Sequence, residues 1–288
     1  MIKTNNSIIG KNSPAYFIAE IGINHNGDIN NAFKLIEASK LAGCNAVKFQ
    51  KRFPKECVPK IQWNIKKKTP WGEMSYIEYK ERMEFSKKDY QKIINLCKDL
   101  KIDWLASCWD LKSVEFMEDL KIPFYKIASA SITDIKLLKK IKSTKKPVII
   151  STGMSTLDQI KKAVKCLGEK NLGILHCNSS YPAKYEELNL NFIKKLFKLF
   201  PKALIGYSGH EKGLATTIAA AVMGAKIIER HITLDKSMWG TDQLASIEPL
   251  GFARVIRDIR LIETSLGDGK KIVYDTEREV MEKLRIKN

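Results

Sequence analysis

The sequence predicts an α/β fold, a TIM (β/α)8 barrel forming a single domain over residues 1–288. Three observations carry this. Eight short apolar runs, each followed by a helix-length segment, recur along the chain. The runs are rich in Ile, Val and Ala and suit strands of a parallel sheet buried on both faces. No linker-like stretch divides the chain, and 288 residues fit one undivided barrel.

The elements follow in order. Strand one is Tyr16–Ile21, with a turn at Asn24–Asp28 and a helix from about Asn30 to Leu41 that stops at Gly43, a good C′ residue. Strand two is Ala46–Gln50. A long irregular stretch, Lys51–Phe85, is punctuated by Pro54, Pro59, Pro70 and Gly72. A loop of that length inside a compact domain is functional or carries short structure of its own. Ser86 caps a helix over Lys87–Leu100, and Ile102–Ser107 is strand three. A helix near Lys112–Leu120 precedes strand four, Phe124–Ser129. Asp134–Lys142 is helical and Pro147–Ser151 is strand five. Ser155 caps a helix running to about Gly168, and Leu172–Cys177 is strand six. After a helix over Leu190–Phe200, strand seven ends at His210 and strand eight at His231. Glu211–Gly224 between them is Ala- and Thr-rich and helix-length, so the two strands form a βαβ unit and point the same way. Glu248–Leu266 closes the barrel, and Thr276–Arg285 is a terminal helix.

Composition excludes several classes. Apolar residues make up 44% of the chain, enough for a large core, and no run approaches the ~18 residues of a membrane span. Met1–Asn6 has no apolar signal core, so a cytoplasmic protein with no membrane partner is expected. Six cysteines without CxxC spacing predict reduced, mostly buried thiols. The formal charge of +18 is spread over helix faces such as Lys136–Lys142 and Lys194–Lys198 rather than gathered. That argues against a nucleic-acid partner and remains compatible with anionic small molecules. Only Lys66-Lys67-Lys68 is a tight cluster, placed in a loop.

In such a barrel the C-terminal strand ends build the active site. They present Glu20, with Asn24 and His25 in the loop; Lys48 and Gln50; Ser107, Trp109 and Asp110. Next come Lys126, Ser129 and Ser131; Ser151 and Thr152; His176, Asn178, Ser179 and Tyr181. The last two strands add Ser208 and His210, then Glu229, His231 and Asp242. His210 and His231, on one face of neighbouring strands, can hold a divalent metal, or each can simply be hydrogen-bonded in its loop. Lys48 and Lys126 sit inside apolar strands, where a charge must be paired or used. With Ser129, Ser151 and Ser208 they can grip a phosphate; alternatively they pair with Glu20 and Glu229 inside the barrel. Lys126 could also form a Schiff base. These residues together predict a metal-assisted enzyme acting on a small phosphorylated substrate.

Seven strings in order resemble the sialic acid synthase (N-acetylneuraminate synthase, NeuB-like) family, over about residues 14 to 270. They are Ile18-Ala-Glu-Ile-Gly-Ile-Asn-His-Asn-Gly27, Ala46-Val-Lys-Phe-Gln50, Tyr125-Lys-Ile-Ala-Ser129 and Ile150-Ser-Thr-Gly-Met-Ser155. The others are His176-Cys-Asn-Ser-Ser-Tyr-Pro182, Gly206-Tyr-Ser-Gly-His210, and Glu229-Arg-His-Ile-Thr-Leu-Asp235 with Asp242 beyond it. The resemblance implies a transferase that condenses phosphoenolpyruvate with an aldehyde sugar, N-acetylmannosamine or a relative, to a 2-keto-3-deoxy sugar acid. It implies a metal on His210 and His231, manganese first, with magnesium or cobalt as alternatives, polarising the aldehyde. Lys126, Ser129 and Ser151 would hold the phosphate, and Lys48, Ser107 and Ser208 the carboxylate. Glu20, Gln50, Tyr181 and Asp242 would orient the sugar. The catalytic set would thus be Glu20, Lys48, Lys126, His210 and His231, with Ser131 and Ser179 also against substrate. The family pairs as homodimers.

The chain departs from the family pattern in three places. Ser131 stands where a proton-transferring glutamate is usual, so another group or the phosphate itself must serve the water step. Ser-Gly-His replaces the commoner Ser-Asp-His, and Ser179 replaces an Asn of some members. A barrel without the family's C-terminal antifreeze-like domain, and hence without the arginine that reaches the N-acetyl group, is expected. Trp71, Trp239 and the Lys51–Phe85 loop are then the candidates for a lid. The readings that compete are a synthase for a non-acetamido aldose or aldose phosphate, a pyruvate aldolase using Lys126, and a sugar-acid-binding barrel without catalysis.

Overall fold

Side chains alternate along a strand, so every second residue of a barrel strand points inward. The computed structural model describes residues 1–286, so the last two residues of the expected 1–288 domain lie outside the described residues. It shows the expected closed barrel of eight strands in sequential order. They are β1 (Tyr16–Gly22), β2 (Ala46–Lys51), β3 (Asp103–Cys108), β4 (Tyr125–Ile127), β5 (Val148–Ser151), β6 (Leu172–Cys177), β7 (Leu204–Gly209) and β8 (Ile227–His231). All pairings between them are parallel.

The inward positions form two layers. Ile18, Ala46, Leu105, Ile149, Leu175, Leu204 and Ile227 make a small apolar core with Phe124. A hairpin of Ile2–Lys3 and Ile8–Ile9, which the apolar pattern did not announce, plugs its lower end. Two residues further along the same strands, the same inward face carries Glu20, Lys48, Ser107, Lys126, Ser151, Cys177 and Glu229. The opposite set, with Phe17, Val47, Trp104, Tyr125, Ile150, Ile174, Ile205 and Ile228, packs against the helices in the main core.

Capping matches the sequence closely. Asp28, Ser86, Asp110 and Asp134 each accept a main-chain N–H from the helix they begin. Each such cap contributes about 1 kcal/mol. Asp110 is therefore spent on a helix start. Thr156, with Gln159 completing a capping box, takes the place expected of Ser155. The Lys51–Phe85 segment holds short structure: helices Pro54–Cys57 and Tyr76–Arg82 and a hairpin of Lys66–Thr69 with Gly72–Ser75. Lys66, Lys67 and Lys68 are thus a strand, not a loop, paired with Glu73, Met74 and Ser75. All six cysteines are free, and no helix among the described residues is long and apolar enough to cross a membrane.

Candidate active site

A cavity of about 580 Å³, counted to its open mouth, sits above the apolar layer. Its wall brings together twelve of the fourteen predicted residues: Glu20, Lys48, Gln50, Ser107, Lys126, Ser129, Ser151, Ser179, Tyr181, Ser208, His210 and His231. Ser131 is buried in the 3-10 turn Ser129–Ser131 and is not on the wall. Asp242 also stands off it, with its Oδ2 3.7 Å from His231 Nδ1.

The two lysines are both paired and offered to the cavity. Lys48 Nζ lies 2.7 Å from Glu20 Oε2 and 3.7 Å from Glu229 Oε2, and donates to Ser107 Oγ at 3.0 Å. Lys126 Nζ lies 3.4 Å from Glu229 Oε1 and donates to Ser151 Oγ at 2.7 Å. Ser208 Oγ donates to Glu229 Oε1 at 3.1 Å. The ion-pair expectation is therefore met, by side chains that also line the cavity. The two carboxyls separate in character. Burial and the nearby Glu229 charge raise Glu20 against the pull of Lys48. Burial would raise Glu229 too, but Lys126 and Lys48 hold it down at about 2. The two carboxyls thus differ in how readily each takes a proton.

His210 and His231 face each other with ring centroids 5.3 Å apart, and Tyr181 stacks 4.1 Å from His210. His210 Nδ1 donates to the Asn178 carbonyl at 2.6 Å, which leaves its Nε2 lone pair free for a ligand. His231 Nδ1 is buried without a hydrogen-bond partner, and burial keeps the ring neutral by lowering it to about 3. Burial alone would lower His210 and raise Cys177; their mutual attraction, with Cys177 Sγ 3.7 Å from Nδ1, reverses both. The other histidines serve the fold. His25 Nδ1 accepts from Gly27 N at 3.0 Å, and its ring stacks on Phe85. His176 Nε2 donates to the Leu188 carbonyl at 2.6 Å.

The Ser-Gly-His string has a structural cause. Glu211, next to His210, and Arg230, next to His231, form a fully buried ion pair at 2.9 Å. Tyr207 Oη donates to Glu211 Oε2 at 2.9 Å, and Thr217 Oγ1 accepts from Arg230 Nη1 at 2.6 Å. A Cβ on Gly209 would lie 2.7 Å from both Glu211 Oε2 and the Tyr207 ring. Glycine here makes room for the clamp that ties the two histidine-bearing strand ends together. Gly209→Ala is expected to cost about 1–3 kcal/mol of stability, read as a lower midpoint in thermal or urea denaturation. An unchanged midpoint would show that the clamp yields freely.

Six wall residues fell outside the predicted set: Trp109 and Glu229 were named at their strand ends without a substrate role, while Ala128, Ala130, Met154 and Cys177 were not singled out. Inward alternation was the available signal for Glu229 and Cys177, since Ile227 and Leu175 point to the same axis. The expected lid residues meet one another but do not line the cavity: Trp71, in the turn of the hairpin, contacts Trp239 at 5.7 Å, and Tyr79 contacts Trp239 at 5.5 Å.

Comparison with known proteins agrees with the fold. The sequence profile of the NeuB family matches residues 35–271. N-acetylneuraminate-9-phosphate synthase of Mus musculus is 38% identical over 283 residues, 96% of this chain and 78% of that protein. N,N'-diacetyllegionaminic acid synthase of Campylobacter jejuni is 38% identical over 91% of this chain and 80% of its own. The crystal structure of N-acetylneuraminic acid synthetase from Leptospira borgpetersenii superposes with a TM-score of 0.85 at 31% identity, covering 98% of this chain and 95% of that one.

Proposed function

The chain belongs to the NeuB family and is an enzyme of the synthase, transferase type, and we propose that it condenses phosphoenolpyruvate with an aldehyde sugar. The acceptor is N-acetylmannosamine or a relative, and the products are a 2-keto-3-deoxy sugar acid and phosphate. The observation that carries this reading is the pairing of each wall lysine with a wall serine, Lys126 with Ser151 and Lys48 with Ser107, opposite two facing imidazoles. Lys126, Ser129 and Ser151 take the phosphate as charge-assisted donors, and Lys48, Ser107 and Ser208 take the carboxylate. Gln50 and Tyr181 orient the sugar hydroxyls.

His210 and His231 fit a divalent metal, manganese before magnesium or cobalt. A fixed Nδ1–H on one ring, a neutral neighbour, and a shared cavity face support this. Among the described residues no third His, Cys, Asp or Glu completes a ligand group with them, a donor set that leaves positions for substrate. When bound, the metal would supply Lewis-acid polarisation of the aldehyde. The chain's own proton chemistry falls to Glu20, because Ser131 lies off the wall and Glu229 stays ionised. C3 of phosphoenolpyruvate bonds to the aldehyde carbon, and Glu20 gives its proton to the aldehyde oxygen. Water adds at C2 and returns one proton to Glu20. The second leaves with phosphate as the C2–O bond breaks, so the enzyme ends as it began. The family resemblance supports a homodimer.

Phosphoenolpyruvate consumption against N-acetylmannosamine, a diacetamido sugar, mannose and arabinose 5-phosphate, with manganese and with EDTA, tests the reading. Consumption with one acceptor, lost in EDTA, is expected. Binding of sugar acids without consumption across the panel would favour a non-catalytic barrel instead.

A further inference from the structure

The strand ladder stops short of one of the two facing histidines. β7 and β8 pair from Gly206 with Ile227 to Gly209 with Arg230, so His210 lies one residue past the last pair. Its main chain is held from the other side, beyond β6. Ala183 N donates to the His210 carbonyl at 3.1 Å and Ala183 bridges to Glu211, while the His210 ring donates to the Asn178 carbonyl. His231 is held by its opposite neighbour, paired with Glu20 of β1, and its carbonyl accepts from Ile247 N at 2.8 Å. The two imidazoles are thus anchored to different flanks of the barrel mouth. Past the last rung, the seam between β7 and β8 is bridged by the Glu211–Arg230 pair.

That pair is bonded in fixed directions. The Glu211 carboxylate accepts from Arg230 Nη1 and Tyr207 Oη, and also from Thr216 Oγ1 at 2.6 Å and Thr217 Oγ1 at 3.3 Å. Both threonines stand on the helix Ala215–Val222, so the seam is locked to that helix as well. Arg230 Nη1 donates to the Gly213 carbonyl at 3.2 Å and Nη2 to the Glu211 carbonyl, whereas Nε is buried without a partner. Neither residue lines the cavity: Arg230 falls between the inward-facing Glu229 and His231 and points away from it. Contact with substrate therefore does not explain the pair. Stability does not explain it either, since well-packed apolar residues in place of a buried ion pair are often as stable or more so. What the pair adds over an apolar seam is direction. Rings that share a metal need that, because ligand orientation is set by the groups behind the ligands.

We propose that Glu211 and Arg230 are positioning residues that hold the His210 and His231 rings at the separation a shared divalent metal requires. The inference rests on the metal-assisted synthase reading and deepens it. The pair acts from outside the cavity. Its effect should therefore fall on metal affinity and spare the grip of Lys48 and Lys126, on β2 and β4, on phosphoenolpyruvate.

The test compares the native chain with the double variant Glu211→Leu/Arg230→Met, which fills the seam with uncharged side chains. Manganese affinity by calorimetry, the urea midpoint, and phosphoenolpyruvate consumption at graded manganese are measured on both. The double variant is expected to remain folded and to bind manganese at least tenfold more weakly. It should need correspondingly more manganese for half-maximal consumption, with KM for phosphoenolpyruvate at saturating manganese unchanged. Tyr207→Phe keeps the ring, removes one donor to Glu211 and serves if the double variant does not fold; it should weaken manganese binding about threefold. A merely structural pair would shift the urea midpoint and leave metal affinity alone. Unchanged manganese affinity in every folded variant would thus overturn the proposal while the synthase reading stands. A native chain that binds no manganese would overturn the proposal and the metal assignment together. Weakened manganese binding in a protein that consumes no phosphoenolpyruvate would sustain the positioning role and overturn the synthase reading.

Discussion

Replacing His210 or His231 by alanine is expected to lower kcat/KM for phosphoenolpyruvate consumption by about a thousandfold or more, the loss of at least ~4 kcal/mol of transition-state stabilisation. The two rings face each other across 5.3 Å, and each leaves a nitrogen for a shared ligand, so neither alone makes the site. Calorimetric titration of the protein with manganese gives a readout independent of turnover. It should show binding in the native chain and at least tenfold weaker binding in each variant. Folding should survive, because the clamp of Glu211 and Arg230, not the imidazoles, ties these strand ends. Activity that persists in EDTA in both variants would sink the metal assignment.

Glu20→Gln is expected to lower kcat by about 10²–10⁴-fold while changing KM for phosphoenolpyruvate little. The amide keeps the shape and the contact with Gln50 but cannot carry a proton. Because Glu20 acts in its protonated form, kcat of the native enzyme should fall as pH rises through its elevated value. In the variant that limb should vanish. Glu229→Gln should behave differently: it deprives both Lys48 and Lys126 of a carboxylate, so it should cost about 3–5 kcal/mol of stability and raise KM for phosphoenolpyruvate. If Glu20→Gln raised KM alone and left kcat and its pH profile intact, Glu20 would be an orienting group and not a proton carrier.

The Ser131 position separates two kinds of departure from the family pattern. Its loss of a carboxylate concerns chemistry, because the residues of that turn on the wall, Ser129 and Ala130, carry no carboxylate either. Gly209 concerns packing, because the space it leaves is filled by the Glu211 carboxylate. The string of letters shows both as substitutions and ranks neither. Only the distances from a built Cβ and from the cavity distinguish them.

Much of this protein was readable in the chain itself. The eight strands and their helix starts follow from apolar runs, caps and glycines, all local signals whose range is a few residues. The βαβ spacing of His210 and His231, and the costly lysines in apolar strands, marked most of the cavity wall, because strand ends of a barrel converge whatever the loops do. The tertiary structure decided the rest. Whether Lys48 and Lys126 are paired or free could not be read from either residue, since their partners lie on other strands and serve both purposes. The neutral state of His231 depends on burial that only the closed barrel creates. The open donor of Arg230 belongs to the same class. A side chain's partners are set by neighbours tens of residues away, and an arginine's open donor becomes costly only once the fold has enclosed it.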